Sequence, residues 1–169
     1  MTLKWFSHQN WGSTVTFQLS SHWANSKFLG FSLCAVIAFR SVNHSSQVKC
    51  TYHFRNKHGD SHDLYCYLDG WCDDRSLLSN HIFVGFDPCL VAKEKDMFGI
   101  YSEILVEFQL EDMDGNLLPL DLCQVVECGV RLLHANDGLE AMFQAKRERF
   151  SDLDMRWENN FGRRRKEKA

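Results

Sequence analysis

The 169-residue sequence lacks the features of membrane-spanning chains and of strongly charged chains. No stretch reaches the roughly 18 to 20 apolar residues that cross a bilayer, and the N-terminus lacks a basic segment followed by an apolar signal core. The formal net charge is only -3, so bulk attraction to nucleic acid or to a membrane surface is not expected. These absences predict a soluble protein.

The sequence also lacks the short motifs of common catalytic sites. It contains no G-x-S-x-G nucleophile turn, phosphate-binding loop or dinucleotide fingerprint. His58, His62, Cys66 and Cys72 could formally ligate zinc, but neither the histidine pair nor this cysteine pair has the tight C-x2-4-C spacing of a zinc knuckle. The acidic residues near 69–74 and 112–115 do not complete a calcium loop. We therefore predict no catalytic residue, no cofactor and no metal site.

Cysteines are not scarce, but their pattern does not suggest a disulfide scaffold. The seven cysteines are an odd number, and Cys34, Cys50 and Cys128 lie inside apolar stretches that look like strands. Burial in such strands disfavours the reactive thiolate. The pattern predicts reduced thiols and a cytoplasmic protein, with the nucleus as an alternative location.

The sequence is rich in stretches that alternate apolar and polar residues, which is typical of half-buried β-strands. The long apolar stretch 28–39 has small residues on its second face, so we predict a central strand that is covered on both faces. Predicted strands are residues 12–19, 28–39, 48–54, 63–68, 81–86, 101–110 and 125–134. In the predicted strand 81–86 we expect one face to carry Ile82, Val84 and Phe86. In the predicted strand 125–134 we expect one face to carry Val126, Cys128, Val130 and Leu132.

Seven strands without intervening helices predict an all-β fold, an antiparallel two-sheet β-sandwich. Residues 1–138 would form this sandwich, and residues 139–169 would form a C-terminal helical segment and a basic tail. The basic cluster 162–166 has the composition of a nuclear-import or nucleic-acid-binding segment, or of a solvated tail. The predicted core residues are Phe17, Leu33, Ile37, Val84, Val106, Phe108 and Val130.

Several motifs occur together in one order along the chain. They are WFSHQ at residues 5–9, KFLGFSLCAV at 27–36, DGW at 69–71, SNHIFVGFD at 79–87 and ECGVRLL at 127–133. In wording and order this series resembles the C-JID domain, the jelly-roll/Ig-like domain that follows the leucine-rich repeats (LRR) in plant TIR-NB-LRR disease resistance proteins. The resemblance extends over residues 5–134.

This resemblance implies a jelly-roll or immunoglobulin-like sandwich without an active site of its own. Its loops, together with the adjoining leucine-rich repeats, would bind a pathogen effector protein and release receptor oligomerisation. The NADase activity of such a receptor would belong to a separate TIR domain, and neither nucleic acid nor a membrane is an expected partner. The usual Ile-Pro-Glu before the Trp-Phe pair is replaced by Thr2, Leu3 and Lys4, so the junction with the repeats differs from the family pattern.

Partner contacts are expected on connections between strands, because loops can vary without disturbing packed faces. The connections 41–47, 55–62, 69–80 and 88–98 are long or chemically suited, since they offer cations and apolar anchors. The candidate partner-binding residues are His44, Arg55, Lys57, His58, Trp71, Lys93, Lys95, Met97 and Phe98. An alternative is a carbohydrate-binding jelly roll that uses Trp11, Trp23 or Trp71 as sugar platforms.

The positions of the cysteines generate a prediction about their oxidation state. We expect all seven thiols to be reduced in the native protein, because strand positions at irregular spacings do not form a disulfide framework. Alkylation under denaturing conditions without reductant, followed by mass spectrometry, should label every cysteine. Two or more cysteines that react only after reduction would contradict both this prediction and a cytoplasmic location.

Overall fold

The computed structural model describes residues 4–40, 46–68, 80–89, 96–135 and 156–161. In these ranges the chain forms strands and one short 3₁₀ helix, η1. The strands are β1 (His8–Trp11), β2 (Thr14–Gln18), β3 (Phe28–Phe39), β4 (Ser46–Arg55), β5 (Ser61–Leu68), β6 (Asn80–Asp87), β7 (Glu103–Asp112), β8 (Cys123–His134) and β9 (Arg156–Phe161), and η1 is Asp96–Ile100.

The strands form two sheets that pack face to face. The first sheet has the order β1-β8-β3-β6-β9 and the second has the order β2-β7-β4-β5. Every described pair is antiparallel except β6 with β9, which is parallel. The predicted all-β sandwich is therefore confirmed.

Each of the seven predicted strands is present, and β3 lies between β8 and β6 as the predicted central strand. Both of its faces are covered, because Cys34 and Val36 on the second face are buried as well. Sequence alternation did not indicate β1, which has only four residues, or β9, which lies where we expected a tail. Of the predicted C-terminal helical segment and basic tail, residues 139–155 and 162–169 lie outside the described residues.

The space between the sheets holds the main hydrophobic core. Of the predicted core residues, this cluster contains Phe17, Leu33, Ile37, Val106, Phe108 and Val130. Trp23 is fully buried there, where its ring stacks on that of Phe54 with centroids 5.5 Å apart. Its indole Nε1 donates a hydrogen bond to the Tyr101 carbonyl at 3.2 Å, so burial leaves this polar group satisfied.

Val84 is buried as predicted, but it does not lie in the main core between the sheets. Val84 pairs with Cys34 and lies with Ile82 in a second apolar cluster on the outer face of the first sheet, whereas Phe83 pairs with Ala35 and faces the main core. Phe86 follows Ile82 and Val84 at the same spacing of two residues, so it lies on the outer face as well. The inward face of β6 also carries Gly85 and Asp87, so the strand is apolar on its outer face and mixed on its inner face.

A β-bulge accounts for a second departure, in β8. The pairing with β3 shifts between Val36 and Ile37, so that Ile37 lies opposite Val125. Such an extra residue reverses the side-chain alternation beyond it. Cys128 and Val130 face the core as predicted, but Val126 packs against the outer cluster and Val125 takes the inward position.

The segment that precedes β1 covers the outer face of the first sheet. Phe6 is buried in the outer cluster, and the Cβ of any residue replacing Gly129 would lie 2.9 Å from its ring. The Arg131 guanidinium donates a hydrogen bond to the Trp5 carbonyl at 2.9 Å and lies 4.7 Å from the Trp5 ring centroid. The Trp-Phe motif therefore acts as a cover for a sheet that is apolar on both sides.

Gly30 offers a test of how tightly β3 packs against the end of β6. A Cβ there would lie 2.2 Å from the backbone oxygen of Asp87, and the φ angle is +146°. We expect Gly30→Ala to lower the free energy of unfolding by about 3 kcal/mol, because backbone strain and overpacking both oppose it. Urea denaturation followed by circular dichroism measures this change.

The control is Gly59→Ala, in the β4–β5 hairpin. Gly59 also has a positive φ angle, +91°, but nothing lies within 4 Å of the added Cβ. Only the backbone cost of about 1 kcal/mol should remain. Equal losses in the two variants would mean that the contact with Asp87 contributes nothing.

Candidate partner-binding surface

The β4–β5 hairpin is ordered by one asparagine side chain. The Oδ1 atom of Asn56 accepts hydrogen bonds from the backbone N–H groups of His58 and Asp60, both at 2.9 Å, and its Nδ2 donates to the Asp60 carboxylate at 2.9 Å. Gly59 supplies the positive φ angle that closes the turn. Lys57 and His58 project from it with exposed side chains. The hairpin thus holds a cation and an imidazole in a preformed loop.

The 3₁₀ helix η1 lies beside this hairpin because Phe98 anchors it. Only 1% of Phe98 is exposed. Its ring meets Phe54 edge to face at 5.4 Å and His62 at 5.2 Å, and it contacts Tyr101 at 5.7 Å. Edge-to-face packing of this kind stabilises aromatic pairs beyond the area that they bury. Phe54 and His62 belong to β4 and β5, so the anchor attaches η1 to the base of the hairpin.

A backbone hydrogen bond joins the same two segments. The N–H of Ser102 donates to the Arg55 carbonyl at 2.9 Å, directly after η1 and at the end of β4. Ile100 is 54% exposed at this position, and the Arg55 side chain is exposed too. One end of the sandwich therefore combines cations with an exposed apolar side chain, and we call it the hairpin end.

A buried polar group fixes the neighbouring turn after β6. The Asp87 carboxylate accepts hydrogen bonds from the Tyr52 hydroxyl at 2.9 Å and from the Cys89 backbone N–H at 2.9 Å. Burial, reinforced by the negative charge of Asp87, raises the pKa of Tyr52 well above its usual range. The carboxylate therefore orients the turn at the hairpin end from which the chain continues toward η1.

The buried thiols are poor candidates for nucleophiles. A hydrogen bond with Cys50, together with burial, raises the pKa of the Cys66 thiol, and burial raises the pKa of Cys128 to about 12. At neutral pH both groups remain protonated, whereas nucleophilic attack needs the thiolate. The six cysteines in the described ranges are all buried thiols, and Cys72 lies outside those ranges.

The structure brings together only part of the predicted contact set. Arg55, Lys57 and His58 are exposed at the hairpin end, and Met97 belongs to η1. Lys93 and Lys95 lie outside the described residues, in the connection between β6 and η1. Paired strand ends show that the other two predicted connections join β3 to β4 and β5 to β6 at the opposite end of the sandwich.

His44 and Trp71 belong to those two connections and also lie outside the described residues. Of the nine predicted residues, the structure therefore describes only Arg55, Lys57, His58, Met97 and Phe98.

The prediction that Phe98 is an exposed anchor for a partner is wrong, because the structure buries its side chain. Among the side chains of that segment that the structure describes, the exposed apolar one is Ile100. A 3₁₀ helix repeats every three residues, so Phe98 and Tyr101 share the buried side while Ile100 does not. Sequence analysis also missed Met113, Leu117 and Leu120, which are exposed in the β7–β8 connection at the opposite end.

The tryptophans proposed as sugar platforms have different surroundings. Trp23 is buried in the core and cannot stack on a sugar, Trp11 is 75% exposed, and Trp71 lies outside the described ranges. Within those ranges, no group of three or more His, Cys, Asp or Glu side chains could hold a metal ion. No helix in the described part of the chain is long and apolar enough to span a membrane.

An ordered, exposed hairpin on a two-sheet sandwich is one way in which a fixed scaffold presents loop side chains to solvent. Comparison with known families identifies the type of domain, because the family model of the C-JID domain matches residues 4–139. The chain therefore belongs to the C-JID domain family, the post-LRR domain of plant disease resistance proteins, as the motif resemblance predicted.

Curated relatives agree with this assignment. Disease resistance protein RPP2B of Arabidopsis thaliana is 31% identical over 160 residues, which cover 85% of this chain and 13% of the relative. Disease resistance-like protein DSC1 of the same plant is 28% identical over 156 residues, or 84% of this chain and 13% of the relative. Disease resistance protein RPS4B is 26% identical over 147 residues, or 79% of this chain and 12% of the relative. The chain thus spans about an eighth of these relatives.

The anchoring of η1 can be tested by shortening the Phe98 side chain. We expect Phe98→Ala to lower the free energy of unfolding by about 3 kcal/mol, because it removes a buried ring from the cluster around Phe54. The matched substitution Ile100→Ala removes an exposed side chain from the same helix and should change stability by about 0.5 kcal/mol or less. Thermal and urea unfolding of both variants compares them, and similar losses would show that Phe98 does not anchor η1.

Proposed function

We propose that this chain is the ligand-sensing domain of a plant intracellular immune receptor and that it binds a pathogen effector protein. The observation that carries the proposal is the ordered β4–β5 hairpin, whose exposed Lys57 and His58 are held above a rigid, anchored base. Membership of the C-JID family supports the receptor context. The domain contributes to receptor activation by binding, without catalysis of its own.

Preorganisation is the physical reason for choosing the hairpin end. Three hydrogen bonds to the Asn56 side chain restrict the loop before any partner arrives. Binding then loses less conformational entropy than it would with a loosely held loop. Exposed cations favour an effector with an acidic patch, and complementary charge raises the association rate and selects among partners. Ile100 supplies apolar contact area next to these cations.

The rest of the receptor would supply the other steps. Adjoining leucine-rich repeats would complete the effector-binding surface, and a separate TIR domain would carry the NADase activity that binding releases. We place the receptor in the cytoplasm, with the nucleus as an alternative location. This division assigns recognition to the sandwich and chemistry to another part of the protein.

An interaction screen tests the proposed class of partner. The chain, alone and joined to leucine-rich repeats of its receptor, would be screened in yeast against secreted effectors from pathogens of the source plant. Candidates would then be confirmed by co-purification with the recombinant proteins. A specific effector supports the proposal, and failure of every effector with both forms of the receptor would count against it.

Loss of the cations should weaken binding without unfolding the domain. Replacing Lys57, His58, Lys93 and Lys95 together by alanine should leave the melting temperature nearly unchanged, because exposed loop charges contribute about 0.5 kcal/mol or less to stability. Binding to an effector identified by the screen should weaken at least tenfold at low ionic strength and less at high ionic strength, since salt screens exposed charges. Titration calorimetry of the complex at low and at high ionic strength measures the loss of affinity and its dependence on salt.

A matched pair of single substitutions separates location from charge. Lys57→Ala removes one exposed cation at the hairpin end, and Arg40→Ala removes one exposed cation at the opposite end, after β3. Only Lys57→Ala should weaken binding. Equal weakening would indicate a non-specific charge effect, and no weakening from Lys57→Ala or from the fourfold variant would move the contact surface elsewhere.

A further inference from the structure

Strand β5 (Ser61–Leu68) forms an outer edge of the second sheet. It pairs with β4 on one side, and no strand in the described ranges pairs with its other side. Its register with β4 is regular over all eight residues, without a bulge. The strand contains no proline and no lysine, although these are common means of blocking an exposed edge. It is therefore a long and regular edge without these usual protections.

The hydrogen-bond pattern shows which backbone groups point outward from this edge. The Asn56 N–H donates to the Asp60 carbonyl at 3.0 Å, so this pair occupies a hydrogen-bonded position across the hairpin. Such pairs alternate along an antiparallel ladder. In the observed register, the N–H and C=O groups of Ser61, Asp63 and Tyr65 consequently point away from β4.

An independent contact agrees with this alternation. Arg55 is paired with Ser61 and should also direct its backbone groups away from the β4–β5 ladder, toward β7. Its carbonyl does accept a hydrogen bond from Ser102, which directly precedes β7, at 2.9 Å. The backbone N–H and C=O groups of every second residue of β5 therefore point outward, where an added strand could form hydrogen bonds with them.

The side chains beside this edge carry excess negative charge. Asp63, whose side chain is 63% exposed, lies 2.8 Å from the Nδ1 atom of His53, and Glu107 lies 3.2 Å from the Nε2 atom of the same ring. Two carboxylates therefore share one imidazole. Asp63 is the outermost of the three residues, so a strand added beyond β5 would place a side chain directly beside it.

The next outward residue favours a different type of contact. Tyr65 is 46% exposed, and the Lys49 ammonium lies 4.7 Å from its ring centroid. The cation is already satisfied by the ring and by Glu111 at 3.7 Å. An apolar or aromatic neighbour would extend this part of the sheet face.

We propose that the β5 edge binds an extended segment of a partner protein as an added strand, with a lysine or arginine of that segment opposite Asp63. Backbone hydrogen bonds to Ser61, Asp63 and Tyr65 would hold the segment, and the charge pair would select its register. This surface is separate from the loops at the hairpin end, and the proposal does not depend on which effector those loops bind.

The first test uses two capped peptides as long as β5, one alternating lysine with valine and the other alternating glutamate with valine. Fluorescence anisotropy measures their affinity for the full chain, and amide hydrogen exchange locates the contact. The lysine peptide should bind about tenfold more tightly and slow exchange at Asp63 and Tyr65. Equal affinities, or no protection of these amides, would overturn the proposal.

Charge reversal at the edge provides the second test. Asp63→Lys should reverse the preference, so that the glutamate peptide binds more tightly than the lysine peptide. Asp63→Asn should remove most of the discrimination and keep the backbone edge intact. An Asp63→Lys variant that still prefers the lysine peptide would show that the charge pair does not form.

A matched pair at Tyr65 tests the backbone contact itself. Tyr65→Pro removes an N–H that points away from β4, which an edge strand tolerates, whereas Tyr65→Ala removes only the side chain. The proline variant should lose at least tenfold more affinity for the lysine peptide than the alanine variant. Equal losses in folded proteins would contradict strand addition, and if the proline variant does not fold, the Asp63 variants decide.

Two other occupants of the edge would give distinct results. If a second copy of the chain fills the edge, light scattering should detect a dimer that Tyr65→Pro dissociates. If another segment of the same chain fills it, the amides of Asp63 and Tyr65 should already exchange slowly in the monomer without peptide. Either result would overturn the proposal of a partner segment.

Discussion

A cluster of aromatic rings at the hairpin end joins the two sheets and also positions the candidate surface. Trp23 contacts Phe28 and Phe31 on the side of the first sheet, and it stacks on Phe54 of the second sheet. Phe54 in turn contacts Phe98 of η1. Because the same rings form the core and support the surface, the β4–β5 hairpin and η1 rest on buried rings that contact one another.

The first sheet depends on a second constraint, which is that both of its faces must be covered. The main core covers one face, while Trp5 and Phe6 contribute to the cluster on the other. This arrangement gives the Trp-Phe motif a structural purpose and makes Gly129 part of the packing. It also explains why apolar alternation alone assigned Val84 and Val126 to the wrong face, since apolar residues are favourable on either side of these strands.

The candidate loop surface and the β5 edge represent two different forms of recognition. At the hairpin end, a preformed loop presents charged side chains, and specificity would come from complementary side chains on a folded partner. At the edge, backbone groups would provide much of the binding energy, and a few side chains would set the register. Both regions share the β4–β5 hairpin, whose regular register fixes the direction of the loop and of the outward backbone groups.

The sequence by itself determined the fold class, the seven main strands, the central position of β3 and the family. These features depend on local alternation and on motif order, which can be read without knowing long-range contacts. The tertiary structure alone decided the face of β6, the bulge in β8 and the burial of Phe98. An apolar side chain has the same local signature whether it faces the core, an outer cluster or solvent, so only the packing of distant segments could distinguish these cases.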